Sequence, residues 1–213
     1  MRGLPGRAWM RKGALACGAA GVAFTWAMGS PLSEGMELYK QKRFGEAKAV
    51  LEPLAGAPAP DPLACYYLAM TLEDMGGPRA LDQAQVLLDR ATKLAPDNEA
   101  ILSEYGGVCL LLADRDSSLT MAMAGRNAMV RAISENPADL DAREGLMSFY
   151  AQAPWPLGDA DKALDQASEI AKREPKRGLA AYRKIAGIFQ KAGKTSRAES
   201  AQLAAQNLAR AKP

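Results

Sequence analysis

The chain has 213 residues, 48% of them apolar and 24% charged, with a formal net charge of +3 and no histidine. That length can bury one ordinary domain core or build a row of about five helical hairpins. The missing histidine excludes Ser-His-Asp and Cys-His nucleophilic sites, His-bearing zinc sites and Cys-x-x-Cys-His haem attachment. No phosphate-binding loop of the Gly-x-x-x-x-Gly-Lys-Ser/Thr type occurs, and Gly106-Gly107 falls inside a helical pattern, where close packing accounts for it. Glu73-Asp74 and Asp159/Asp161 read as charged helix faces and turn residues rather than acid–base pairs. The expectation is a protein that is not an enzyme, with no cofactor and no metal.

The first 29 residues carry Arg2, Arg7, Arg11 and Lys12 and no acid, and Gly13 to Met28 is uncharged. This is the order of a secretory signal, and Ala27-Met28-Gly29 offers small residues where a signal peptidase reads, so cleavage is expected after Gly29, leaving Ser30 first. Two alternatives stand beside it. Ala14-Leu15-Ala16-Cys17 loosely resembles a lipoprotein box that would lipidate Cys17, and residues 13–29 could stay as a membrane anchor, although they fall short of the roughly 20 apolar residues of a span. Each reading sends the remaining chain out of the cytoplasm, to a periplasmic or secreted location or, with the anchor kept, to the membrane. Without those four cations, 23 basic residues face 24 acidic ones, so there is no electrostatic case for nucleic-acid binding. Cys65 and Cys109 are too few for a disulfide framework and fall on inward helix faces, where small apolar core residues are expected.

Downstream, five small residues recur: Ala47, Ala84, Gly125, Ala163 and Ala198, at intervals of 37, 41, 38 and 35. A period in this range marks an α-solenoid of stacked helical pairs. The third pair shows the pattern most fully. From Asn98 the chain places bulky Leu102, Tyr105 and Cys109 on one face, with Gly106 leaving room for a neighbouring helix. The second helix, around Gly125 to Ser134, keeps Gly125, Ala128 and Ala132 on one side and stops at Asn136-Pro137, because proline donates no N–H and disfavours helix before it.

These positions resemble the tetratricopeptide repeat (TPR). In chain order, the first copy keeps Gly35, Leu38, Phe44, Ala47 and Leu51; the second has Cys65, Leu68, Ala69, Leu72 and Gly76, then Ala84, Leu88, Ala91 and Pro96. The third centres on Gly106 and closes at Pro137. The fourth has Leu146, Tyr150, Ala163 and Pro175, with Met147 in place of the small residue. The last has Ile185, Ala186, Phe189, Gly193, Ala198 and Ala205 and no closing proline. The resemblance implies an all-α solenoid of about five hairpins, spanning about 30–60, 61–97, 98–138, 139–176 and 177–213. Extra residues fall near Gly77-Pro78-Arg79, Ala113 to Leu119 and Pro154 to Leu157 and are expected in hairpin turns, where closure entropy grows slowly with length. The run from Phe149 to Ala163 resembles, more loosely, a group of secreted bacterial TPR proteins.

The resemblance also implies a concave groove lined by the first helix of each pair, holding a protein or peptide segment. Its alignment places Tyr39, Tyr66, Met70, Glu73, Glu104, Glu144, Ser148 and Arg183 there. TPR proteins that clamp carboxylate termini carry Lys and Asn on these faces; Glu104 and Glu144 stand here instead, so a neutral or basic, partly apolar segment is expected. Trp155, between Pro154 and Pro156, reads either as a partner anchor in a loop or as a cover for a neighbouring helical pair. Met121, Met123 and Met129 read as adaptable packing. A membrane-tethered assembly factor and a binder of small molecules or cell-wall fragments at Tyr66/Met70 are the alternative functions; membrane contact requires the leader to be retained.

Overall fold

A computed structural model describes residues 30–154 and 156–210. The leader, its cleavage point and Trp155 lie outside the described residues. Among the described residues ten helices follow one another: α1 (Pro31–Lys40), α2 (Phe44–Ala55), α3 (Pro62–Met75), α4 (Ala80–Leu94), α5 (Glu99–Asp116), α6 (Leu119–Glu135), α7 (Leu140–Gln152), α8 (Ala160–Arg173), α9 (Pro175–Lys191) and α10 (Thr195–Arg210). They pack as five consecutive hairpins into an α-solenoid of the TPR type, as the period implies.

Most helix starts are written in the sequence. The side chains of Ser30, Asp61, Asn98, Ser118, Asp139 and Asp159 each accept a backbone N–H one turn ahead, supplying partners for donors that a helix cannot pair internally. Pro31, Pro62 and Pro175 sit in the first turns, where a missing N–H is harmless. Pro175, expected to close the fourth pair, thus also opens α9.

Each of the five recurring small residues lies on the second helix of its hairpin and is buried. Gly106 and Gly125 mark a close approach of α5 and α6: a Cβ on Gly125 would stand 2.8 Å from the Gly106 carbonyl oxygen and 2.9 Å from Leu110. Met129 closes the remaining space, since a Cβ on Gly106 or on Gly145 would strike its flexible side chain. That is the adaptable packing expected of the methionines, and both Cys65 and Cys109 are free, buried core residues. The core forms successive clusters along the row rather than one globule. At the C-terminal end, Ala198, Ala201 and Ala205 face inward while Lys194, Arg197, Glu199, Gln202, Gln206 and Asn207 are exposed, a polar cover for the last hairpin.

A second periodic device ties neighbours together. Arg90 on α4 donates to the Ala55 carbonyl at the end of α2 (2.9 Å), and Arg131, at the equivalent place on α6, donates to the Pro96 carbonyl beyond α4 (2.7 Å). The next junction uses Arg143 on α7 instead, whose Nε and Nη2 reach the Pro137 carbonyl at 3.1 and 2.8 Å. Arginine from the following hairpin therefore supplies donors to carbonyls at the end of the preceding one, which its own helix cannot satisfy. Arg115 to Asp82 and Arg197 to Asp161 add ion pairs near the starts of α4 and α8.

The structure corrects one expectation about the insertions. The extra residues after Gly76 do lie between helices in a turn, with φ of 71° and 119° at Gly76 and Gly77, which glycine adopts without strain, and Pro156 and Leu157 form a turn between α7 and α8. The extra residues around Ala113 to Leu119 do not. They lengthen the helices themselves, giving 18 residues in α5 and 17 in α6, with only Ser117 and Ser118 between them. Leu111, Leu112 and Ala113 continue the apolar helical face, so extending both rods costs less than looping out.

A concave groove as candidate binding site

Successive first helices lie alongside one another, α1 with α3, α5 with α7 and α7 with α9, and form the inner layer of the solenoid. On that layer is a groove of about 1350 Å³, running from Tyr66 and Met70 on α3 across α5 and α7 to Arg177 and Lys184 on α9. Its floor is apolar, with Leu110, Leu111, Met129, Phe149 and Leu157. One wall exists because of the lengthened third hairpin: Ala113, Asp114, Ser117, Ser118 and Leu119 all line the cavity.

Charge in the groove is unevenly spread. Six carboxylates line it, from Glu99, Glu104, Asp114, Asp139, Asp141 and Glu144, against two cations, Arg177 and Lys184. Both cations are held at the α7–α9 end. Arg177 contacts Asp141 at 2.7 Å and Glu144 at 2.8 Å, and Lys184 donates to Ser148 Oγ at 2.8 Å. Burial alone would lower the Arg177 pKa, but its hydrogen bonds to the Glu144 and Asp141 carboxylates raise it overall, so the guanidinium stays charged. At the α3–α5 end, Glu104 is only 7% exposed, unusual for a carboxylate. The Tyr66 phenol is pushed well above its ordinary range, first by burial and then by the Glu104 charge, with Asp139 adding a smaller effect.

Of the residues the sequence placed on this face, the structure brings Tyr66, Met70, Glu104, Glu144 and Ser148 together in the groove. Tyr39 is set apart, its ring 5.8 Å from Phe44 and 5.7 Å from Tyr67, which in turn lies 5.2 Å from Tyr66. Glu73, half-buried on α3 beyond Met70, does not line the groove. Arg183 faces a separate depression of about 400 Å³ between α9 and α10, with Gln190, Gln202 and Gln206. The alignment missed Asp139, Asp141, Asp114 and Arg177. Asp139 is the cap of α7, accepting from Asp141 and Ala142 N–H, and Asp141 lies in its first turn. A helix-start signature thus marked groove residues that a helix-face alignment passes over.

Among the described residues no group of three or more Cys, Asp or Glu is arranged to hold a metal ion, and no helix is long and apolar enough to cross a membrane. No protein-family model and no curated protein sequence matches the chain. Solved structures of MamA, a TPR-repeat protein, do share its fold. MamA of MSR-1 superposes with a TM-score of 0.66 at 22% identity, covering 84% of this chain and 94% of that one. MamA of AMB-1 gives 0.65 at 21% identity over 86% and 92% of the two chains. MamA from Desulfovibrio magneticus RS-1, residues 41 to the end, gives 0.64 at 17% identity over 87% and 99%. Identities this low show the shared architecture alone, and that architecture is a TPR α-solenoid.

Proposed function

We propose that this protein is a non-catalytic interaction scaffold that holds a peptide or protein segment in its concave groove and acts outside the cytoplasm. The groove carries the reading: at about 1350 Å³ it exceeds the roughly 300–1,000 Å³ of a small-molecule pocket, and it runs across helices from four hairpins, as a groove for a chain segment does. Its apolar floor supplies burial and its polar rim orientation. The MamA likeness supports a protein partner over a substrate.

The test is affinity capture from the native host with three baits: the parent chain, a groove-blocked variant carrying Met70→Arg and Ser148→Trp, and Val86→Arg on the exposed side of α4. The expected outcome is a set of proteins retained by the parent and by Val86→Arg but lost from the groove-blocked bait. An identical set on all three baits would refute the groove as the binding surface. The location outside the cytoplasm rests on the composition of residues 1–29. Sequencing the N-terminus of the exported protein checks it: Ser30 at the front supports a released scaffold, Met1 a tethered assembly factor, and recovery from the cytoplasm alone counts against both.

A further inference from the structure

We propose that the last hairpin, α9 with α10, is a docking surface for an anionic bilayer, so that the row meets a lipid surface end-on. Residues 175–213 hold nine Lys or Arg and one carboxylate, Glu199, whereas residues 30–174 hold 14 basic and 23 acidic residues. The near-neutral total therefore hides a charge of +8 on the last hairpin against −9 on the other four. Closing a solenoid needs polar side chains on its end, but not of one sign; mixed Lys and Glu would cover it as well and would repel one another less.

Three of these cations are engaged with earlier hairpins: Arg177 with Asp141 and Glu144, Lys184 with Ser148 Oγ, and Arg197 with Asp161. Lys176, Arg183, Lys191 and Arg210 are exposed, and among the described residues no carboxylate forms an ion pair with them. Lys176, Arg183 and Gln190 recur at seven-residue spacing and share the face of α9 opposite the buried Ala181 and Ile185. Because α9 packs on α7, α8 and α10, this face ends the row. Beside it Arg183, Gln190, Gln202 and Gln206 line the depression of about 400 Å³, and the adjoining face of α10 carries Arg210 and, seven residues before it, Leu203, which is 58% exposed. Lys176 and Lys191 stand at opposite ends of a helix about 25 Å long, so the cations spread over a face rather than converge on one cleft. Cations spread around one exposed apolar side chain suit a plane of anionic headgroups better than a single acidic ligand, and each charge near such a surface strengthens partitioning roughly five-fold. The same surface repels the acidic remainder of the chain, which sets the end-on orientation and leaves the concave groove clear.

The test is flotation of the protein, as purified from its host, with vesicles of phosphatidylcholine alone or mixed with phosphatidylglycerol. The parent is expected to bind the anionic vesicles at least ten-fold more tightly than the neutral ones at about 0.1 M salt, and to lose that preference near 1 M, where the Debye length falls to about 3 Å. Lys176→Gln, Arg183→Gln and Lys191→Gln combined should weaken binding at least ten-fold. Lys40→Gln, Arg79→Gln and Lys93→Gln combined remove the same charge from exposed sites on the first two hairpins and should leave binding within about two-fold. The two triple variants differ only in where charge is removed, so any contribution of residues 1–29 cancels between them, and a circular dichroism melt checks that both fold. Equal weakening by the two would mean general charge attraction and would overturn the docking surface, as would equal binding to neutral vesicles. A parent that floats with neither vesicle would overturn it too, and if a labelled glutamate peptide then bound the parent but not the Lys176, Arg183 and Lys191 variant, the face would belong to an acidic protein instead.

Discussion

Gly125 and Gly187 make a controlled pair for the claim that the hairpins lock where a small residue meets the facing rod. Both are interior to helices, so replacing either with alanine brings the same helix-propensity benefit of about 1 kcal/mol. Their surroundings differ. A Cβ on Gly187 meets nothing within 4 Å, whereas one on Gly125 stands 2.8 Å from the Gly106 carbonyl oxygen and 2.9 Å from two Leu110 carbons. The first of those atoms is backbone inside a helix, so α5 and α6 must separate, and overpacking of this kind costs about 1–3 kcal/mol. Subtracting the two variants cancels the propensity effect and isolates the crowding. Gly187→Ala should stabilise by about 1 kcal/mol and Gly125→Ala should be less stable than Gly187→Ala by about 2 kcal/mol. In a chain of this size that is a gap of roughly 4–8 °C in Tm, read by circular dichroism at 222 nm. Equal melting temperatures, or a Gly125→Ala variant that melts higher, would refute the close crossing.

Other consequences are equally checkable. Arg131→Met removes the donor to the Pro96 carbonyl at the junction of the second and third hairpins and should cost about 1 kcal/mol while broadening the urea transition, because neighbour coupling holds such rows together; an unchanged midpoint and slope would contradict the inter-hairpin tie. Burial pushes the Cys109 thiol up to about 11 and raises Cys65 too, so in a Cys17→Ser chain neither should react with Ellman's reagent at pH 8 until urea unfolds the protein; prompt labelling of the native form would show a more open core. The Glu169 carboxyl is lowered to about 2 by Arg173 and Lys172, at 2.6 and 2.7 Å. A depressed folded pKa gives stability that is fully present above the ordinary value near 4.5 and lost as pH falls from there towards 2. The pair is about a third exposed, so the effect is small: Glu169→Gln should melt slightly below the parent at pH 7 and together with it near pH 2, flattening that limb of the pH profile; a variant whose profile runs parallel to the parent's between pH 4.5 and 2 would argue against the pairing.

The architecture was legible because one-methyl or no-methyl side chains are unavoidable where two helices cross, and Ala47, Ala84, Gly125, Ala163 and Ala198 recur for that reason. Caps were legible too, since Ser30 before Pro31 has few other uses. The inter-hairpin ties were not. Arg90 and Arg131 occupy equivalent places, but the fourth hairpin has Glu169 there and passes the task to Arg143, so no single column of the repeat carries the signal. The groove was half legible. Tyr66, Met70, Glu104, Glu144 and Ser148 follow from the face of each first helix, whereas Asp114 enters only because the extra residues lengthened α5 and α6, a choice between rod and loop that spacing does not decide. Arg183 shows the opposite failure: its place in the repeat matches Tyr66 and Glu144, yet α10 packs beside it and it opens onto a different depression.

Site-specific photo-crosslinking in the living host tests the central claim most directly. A benzoylphenylalanine placed at Met70 or Ser148 on the inner layer, and at Val86 or Leu203 on the outer one, reports which face of the row meets its partner. The inner positions should trap one common partner, and the outer positions should trap nothing in common with them. A partner trapped through Val86 and Leu203 but not through Met70 and Ser148 would contradict a scaffold that works through its concave face.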